Sequence, residues 1–235
     1  MSNILIASAY KSGSNHIADS LAALLGSSRT YLNKPGEGWA QDPQRLDHYT
    51  MDIMFNHLNG MVYLQHVLGT KYNLGLIKAF KPFVIITMRK LIPSLHSLRK
   101  YGDIMVEDGR WDDKYLVEWP KLSNDEKWAW VAINTIPWYY QFYVSWMSAQ
   151  VPRHIVWFDD HFKDQVKSTQ EMLNFLGVEK PPEEIEAAFN HKNSNYTKDR
   201  TELEVPGFVK NYADAAALAW GKPWAQMIQE DLLAE

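Results

Sequence analysis

The first twenty-six residues constrain this chain more than any other stretch. Asn3 to Tyr10 (Asn-Ile-Leu-Ile-Ala-Ser-Ala-Tyr) is apolar and long enough for one buried strand. Lys11-Ser12-Gly13-Ser14-Asn15 follows, and His16 to Leu25 carries apolar residues at helical spacing up to Gly26. A strand, a short polar loop with one lysine, and a helix start make a recurrent anion site. The first-turn N–H groups lack partners inside the helix, and the dipole adds positive potential. The same pattern also fits a plain βα turn that holds nothing.

Spacing narrows the choice. A Walker A loop reads GxxxxGK[ST], with lysine after the second glycine. Here Lys11 precedes Gly13 and no glycine stands upstream at the required distance, so an ordinary ATP or GTP loop is disfavoured. The dinucleotide pattern GxGxxG is absent too.

Further along, strands are expected at Met61–His66, Phe83–Met88 and His154–Phe158, and helices at Leu46–Leu58, Tyr72–Phe80, Ile92–Tyr101, Asn124–Val151 and Val166–Leu176. Residues 27–45 and 102–124 read as irregular, and Pro137 is expected to bend the long helix. Strands alternating with helices imply an α/β fold: three layers, α/β/α, around a central parallel sheet. At 235 residues, one domain over residues 1–235 is the expectation. In such sheets ligands gather beyond the carboxyl ends of the strands. Those ends carry Lys11-Ser12, His66 and Arg89.

Composition excludes several classes. A net charge of −4 gives no broad basic surface, so nucleic-acid binding loses support. There is no cysteine, which rules out disulfides, thiol catalysis and thiolate-bound zinc. No apolar run is long enough for a membrane span and no leader-like start is seen, so a soluble, cytoplasmic chain is expected. Trp111, Trp119, Trp128, Trp130, Trp138 and Trp146 cluster with Tyr139, Tyr140, Phe142 and Tyr143. They are either a heavy aromatic core or, in part, the lining of an apolar or sugar-like acceptor pocket. Asp159-Asp160 with His161 reads as a turn rather than a metal site, and no metal is expected.

These residues resemble the family of sulfotransferases that use 3′-phosphoadenosine 5′-phosphosulfate (PAPS). The family's first motif, Pro-Lys-Ser-Gly-Thr-Thr between strand and helix, is matched by Tyr10-Lys11-Ser12-Gly13-Ser14-Asn15. Its second, a strand ending in Arg with Ser eight residues on, is matched by Arg89 and Ser97. Its Lys-Thr-His at a strand end is matched by Leu64-Gln65-His66. A later strand, acidic turn and helix ending Phe-Leu-Gly are matched by Phe158-Asp159-Asp160-His161 and Asn174-Phe175-Leu176-Gly177. The family departs from this chain at Tyr10 (proline there), at Asn15 (a hydroxyl residue) and at His16, where tryptophan often stacks on adenine. Its C-terminal Arg-Lys-Gly has only a loose counterpart in Lys198, Arg200 and Gly207.

The resemblance implies a P-loop nucleoside-triphosphate-hydrolase-like sulfotransferase fold and transfer of a sulfuryl group to a hydroxyl or amine of a small-molecule, lipid or sugar acceptor. It implies Lys11 on the leaving phosphate and His66 as general base. Ser12, Gly13, Ser14, Asn15 and His16 would line the cofactor, Phe158 would pack near adenine, and Arg89, Ser97, Lys198 and Arg200 would hold the 3′-phosphate. Each also has an ordinary reading: His66 as a hydrogen-bonded core histidine, Arg89 in an ion pair, Ser97 as a plain helix serine, Phe158 as core. The competing functions are a P-loop-like small-molecule kinase and a catalytically idle nucleotide-binding protein of the same fold.

Overall fold

A computed structural model describes residues 2–32, 45–107, 118–189 and 204–234. The chain divides into two compact units, one of Met1–Met88 with Ser145–Lys198, the other of Arg89–Val144 with Asp199–Glu235.

The first unit holds one five-stranded parallel sheet: β1 (Ile4–Ser8), β2 (Arg29–Thr30), β3 (Val62–Gln65), β4 (Phe83–Met88) and β5 (His154–Trp157), in the order β2-β3-β1-β4-β5. Every residue of β1 is buried, as a strand covered on both faces requires. One face carries Ile4, Ile6, Val62, Leu64 and Ile85, packed with Ile17 and Leu21 of α1 (Ser14–Leu24). Met172 and Leu173 of α7 (Gln165–Leu176) and Ile185 of α8 (Pro182–Phe189) complete that layer. The opposite layer includes α2 (His48–His57) and α3 (Lys71–Phe80). Phe55 of α2 stacks on Tyr63 of β3 at 4.9 Å between ring centroids, and the Tyr63 hydroxyl donates to Met54 O at 3.1 Å. The alternation of the strands thus sends odd and even residues to two helical layers. Strands β2 and β3 flank β1 on one side, β4 and β5 on the other, so the direction of winding reverses at β1. In open parallel sheets ligands gather at such a reversal, beyond the carboxyl ends of the strands.

The second unit is helical. It contains α4 (Leu91–Glu107), a 3₁₀ turn at Trp119–Lys121 and α9 (Gly207–Leu218), and ends in α10 (Trp224–Ile228) with a π-helical turn at Gln229–Leu233. The long α5 (Asn124–Met147) runs through Pro137, and all but its last residues belong here. Trp119, Trp128, Trp138, Tyr139, Tyr140, Phe142 and Tyr143 are buried and belong to this unit; Trp146 is buried and belongs to the first. Trp111 lies outside the described residues.

Some boundaries differ from expectation. Helix α1 begins at Ser14, so Ser14 and Asn15 are helical rather than loop. Phe158 does not end β5 but starts α6 (Phe158–Lys163), which puts Asp159 and Asp160 in a helical first turn where acidic residues suit the dipole. Helix α4 extends to Glu107, and the segment expected to be irregular after Gly26 contains the two-residue β2.

Candidate active site

The loop after β1 is stapled to the end of β4. Ala9 N donates to Thr87 O at 2.9 Å. Ser12 Oγ donates to Ala9 O at 2.7 Å and lies 2.8 Å from Thr87 Oγ1. Ser12 is fully buried, so its hydroxyl shapes the loop from below. Two residues of the loop adopt left-handed backbone: Lys11 at φ +58° and Gly13 at φ +71°. Glycine takes that conformation without cost, but lysine does not, and such conformations concentrate at functional sites.

Gly13 is the N-cap of α1, its carbonyl accepting from Ile17 N at 3.1 Å. Having no side chain, it offers the first turn no cap. Those N–H groups and the half-buried Lys11 form a donor set suited to a phosphate or phosphosulfate oxygen. Ser14 is buried beside them. Asn15 is exposed, and its Oδ1 accepts from Arg29, which also pairs with Asp19 at 2.7 Å.

His66 stands immediately beyond β3 and is nearly buried. Its Nδ1 lies 2.7 Å from Ser8 O and 3.0 Å from Ser8 Oγ, both at the end of β1. A carbonyl oxygen only accepts, so Nδ1 carries the hydrogen and the basic lone pair sits on Nε2. The Tyr10 ring packs against the imidazole with centroids 4.5 Å apart, tilted by 58°.

At the other end of the loop, His16 sits among aromatic rings. It stacks on Phe162 at 5.2 Å, lies 5.3 Å from Phe189, and its Nε2 is 3.2 Å from Gln165 Nε2. Burial depresses the His16 pKa, with Asp19 opposing part of that shift. Phe158 packs on Phe162 at 4.4 Å and covers Gly13. Lys11 to His16, His66 and Phe158 therefore gather around the loop after β1 in the first unit.

Arg89 and Ser97 belong to the second unit. The Tyr139 hydroxyl accepts from Arg89 N at 3.2 Å, donates to Arg89 O at 2.5 Å and lies 3.1 Å from Ser94 Oγ. A buried tyrosine of α5 thus fixes the backbone of Arg89. Ser97 lies on α4, partly buried. Lys198 and Arg200 fall outside the described residues.

Three contributors escaped the sequence reading: Ser8, Thr87 and Tyr139. The first two are polar residues inside otherwise apolar strands, and that break in pattern is their only sequence signal. Among the described residues no group of three or more His, Asp or Glu is arranged to hold a metal ion. No described helix is long and apolar enough to cross a membrane.

No family model and no curated protein matches this chain. Solved structures do. It is similar to a mouse sulfotransferase complexed with PAP (3′-phosphoadenosine 5′-phosphate), at TM-score 0.65 and 14% identity over 97% of this chain and 88% of that one. It is similar to retinol dehydratase in complex with androsterone and the inactive cofactor PAP, at TM-score 0.54 and 13% identity over 99% and 82%. It is also similar to the sulfotransferase domain from the curacin biosynthetic pathway, at TM-score 0.52 and 14% identity over 100% and 99%. At these identities the likeness establishes the fold, which is the sulfotransferase fold that the motifs implied.

Proposed function

We propose that this chain, built on the sulfotransferase fold, is a single PAPS-dependent sulfotransferase domain acting in the cytoplasm on the hydroxyl or amine of a small-molecule acceptor. The observation that carries the reading is the imidazole of His66, tied through Nδ1 to Ser8 O at 2.7 Å at the end of the strand that leads into the Lys11 loop. PAPS, when bound, supplies an activated sulfuryl group and a phosphate leaving group. The Lys11 ammonium, the Ser12–Asn15 backbone and the α1 N-terminus offer positive potential to that phosphate as its charge grows. His66 Nε2 accepts the proton that the acceptor oxygen or nitrogen loses on attack, an effect typically worth ~10²–10⁴ in rate.

By motif, His16 and Phe158 serve the adenine, and Arg89, Ser97, Lys198 and Arg200 the 3′-phosphate. Arginine suits a phosphate through its planar pair of donors. Androsterone in the retinol dehydratase complex supports an apolar alcohol as the acceptor class.

Thermal shift with PAP, ATP and 5′-AMP tests the cofactor, because a ligand that binds only the native state raises its stability. PAP should stabilise selectively, and His66→Ala should keep that shift while losing turnover with PAPS. Equal shifts from ATP and PAP would favour the kinase reading. Selective stabilisation without turnover in the unmodified protein would favour an idle binding protein.

A further inference from the structure

We infer that Ser8 is a positioning residue for His66: it fixes the imidazole tautomer through its carbonyl and supports the protonated ring through its hydroxyl. The inference rests on the proposed function only for its catalytic meaning; the tautomer itself is a property of the chain alone.

Ser8 is the last residue of β1 and is fully buried. The β1–β3 pairing runs in register from Ile4 with Val62 to Ala7 with Gln65, which brings Ser8 level with His66. The imidazole is therefore held by the central strand pair rather than by a loop. Its Nδ1 meets two oxygens of one residue, Ser8 O at 2.7 Å and Ser8 Oγ at 3.0 Å. The carbonyl can only accept, so it selects the Nδ1–H form. With that hydrogen in place, Oγ serves Nδ1 as a second acceptor.

Both oxygens favour the cation more than the neutral ring, since hydrogen bonds from a charged donor are the stronger ones. A ring that gains a proton at Nε2 is thus stabilised at its opposite nitrogen. The Tyr10 ring on the imidazole limits rotation, so the proton-accepting nitrogen has one direction. Alanine at position 8 keeps the carbonyl and deletes only the hydroxyl, which separates the two contributions.

The test is ¹H–¹⁵N correlation spectroscopy of the imidazoles in histidine-labelled full-length protein, with His66 assigned from the spectrum of His66→Gln. The expected wild-type result is the Nδ1–H tautomer at neutral pH. In Ser8→Ala the tautomer should persist while the His66 titration midpoint moves down by about half a pH unit, the scale of one modest hydrogen bond. Ser8→Thr, which restores a hydroxyl, should restore the midpoint. An Nε2–H tautomer in the wild type, or a midpoint indifferent to Ser8→Ala, would overturn the inference. Loss of PAPS-dependent turnover plays no part in these readouts. If instead the tautomer is as expected and His66→Ala turns over PAPS normally, the general-base role proposed for His66 fails and its positioning by Ser8 stands.

Discussion

Gly13 lies so close to the Phe158 ring that a Cβ built on it would stand 2.8 Å from Phe158 Cδ2 and 2.9 Å from Phe162 Cε2. Its φ of +71° would strain any other residue as well. The start of α1 and the aromatic wall beneath the loop therefore depend on each other.

Gly13→Ala should cost about 2–3 kcal/mol, combining left-handed strain with overpacking. Urea denaturation measures it. Removing the ring in a Phe158→Ala background should recover the part of the overpacking due to Phe158 but leave the contact with Phe162 and the strain, giving clear non-additivity. A denaturation midpoint unchanged by Gly13→Ala would contradict the contact.

Lys11 separates stability from function. At φ +58° its backbone is one that glycine adopts more easily. Lys11→Gly relieves strain of about 1–2 kcal/mol but adds about 0.5–1 kcal/mol of unfolded-state entropy, so stability should be unchanged or slightly higher. Loss of the ammonium should cut PAPS-dependent turnover by at least ~10²-fold, the scale seen when one charge-stabilising donor is removed. Turnover and denaturation midpoints measured on the same preparation decide this. A variant both stable and fully active would remove Lys11 from the chemistry.

How much of this was legible follows from what each feature leaves in the sequence. The runs Ile4–Ser8 and Phe83–Met88 are continuous and apolar because both faces of a parallel strand are buried, so they stand out. Strand β2 has two residues, too few for any periodicity. Phe158 was expected on a strand because an apolar residue after His-Ile-Val-Trp continues the run; the helical first turn that follows, with two acidic residues, captured it instead. At the site, Lys11, Gly13 and His66 could be named from motif and position. The partners that orient them could not: Ser8, Thr87 and Tyr139 act through pairings fifty or more residues away in the chain, which no local pattern encodes.

In the second unit, Asp103 is the hub of a clamp. It accepts from Trp119 Nε1 at 2.9 Å, from Lys127 Nζ at 3.2 Å and from Arg99 Nη1. Burial alone would raise its pKa; the hydrogen bonds from Trp119, Arg99 and Lys127 outweigh that and hold the carboxyl below its usual range. A depressed carboxylate stabilises the fold above its unfolded pKa, near 4, and that stabilisation fades as pH falls through the lower folded value. Asp103→Asn should therefore cost about 1–2 kcal/mol at neutral pH, since Arg99 is nearly buried and loses its counter-charge. The variant should also lose less stability on acidification than the wild type. Chemical denaturation at pH 7 and pH 3.5 gives both numbers, and parallel pH curves would argue against the clamp.

His161 should make the first unit sensitive to mild acid. It is fully buried, with Nδ1 3.1 Å from Ser168 Oγ and no hydrogen-bond partner for Nε2 among the described residues. The rings of Phe162 at 5.2 Å, Phe189 at 5.6 Å and His16 at 6.2 Å surround it. Burial, reinforced by the neighbouring His16, lowers its pKa from the usual 6.5 to about 4. Below pH 6.5 the unfolded chain binds a proton at this residue that the folded chain refuses, so stability falls as pH drops from about 6.5 towards about 4. The full loss at the acid end is about 3 kcal/mol by the linkage relation. His161→Phe removes the titrating group while keeping an aromatic ring. It should weaken the protein somewhat at pH 7.5, where Ser168 loses its partner, yet flatten the dependence of the urea midpoint between pH 7 and pH 5. The same slope in variant and wild type would assign the acid sensitivity to other groups.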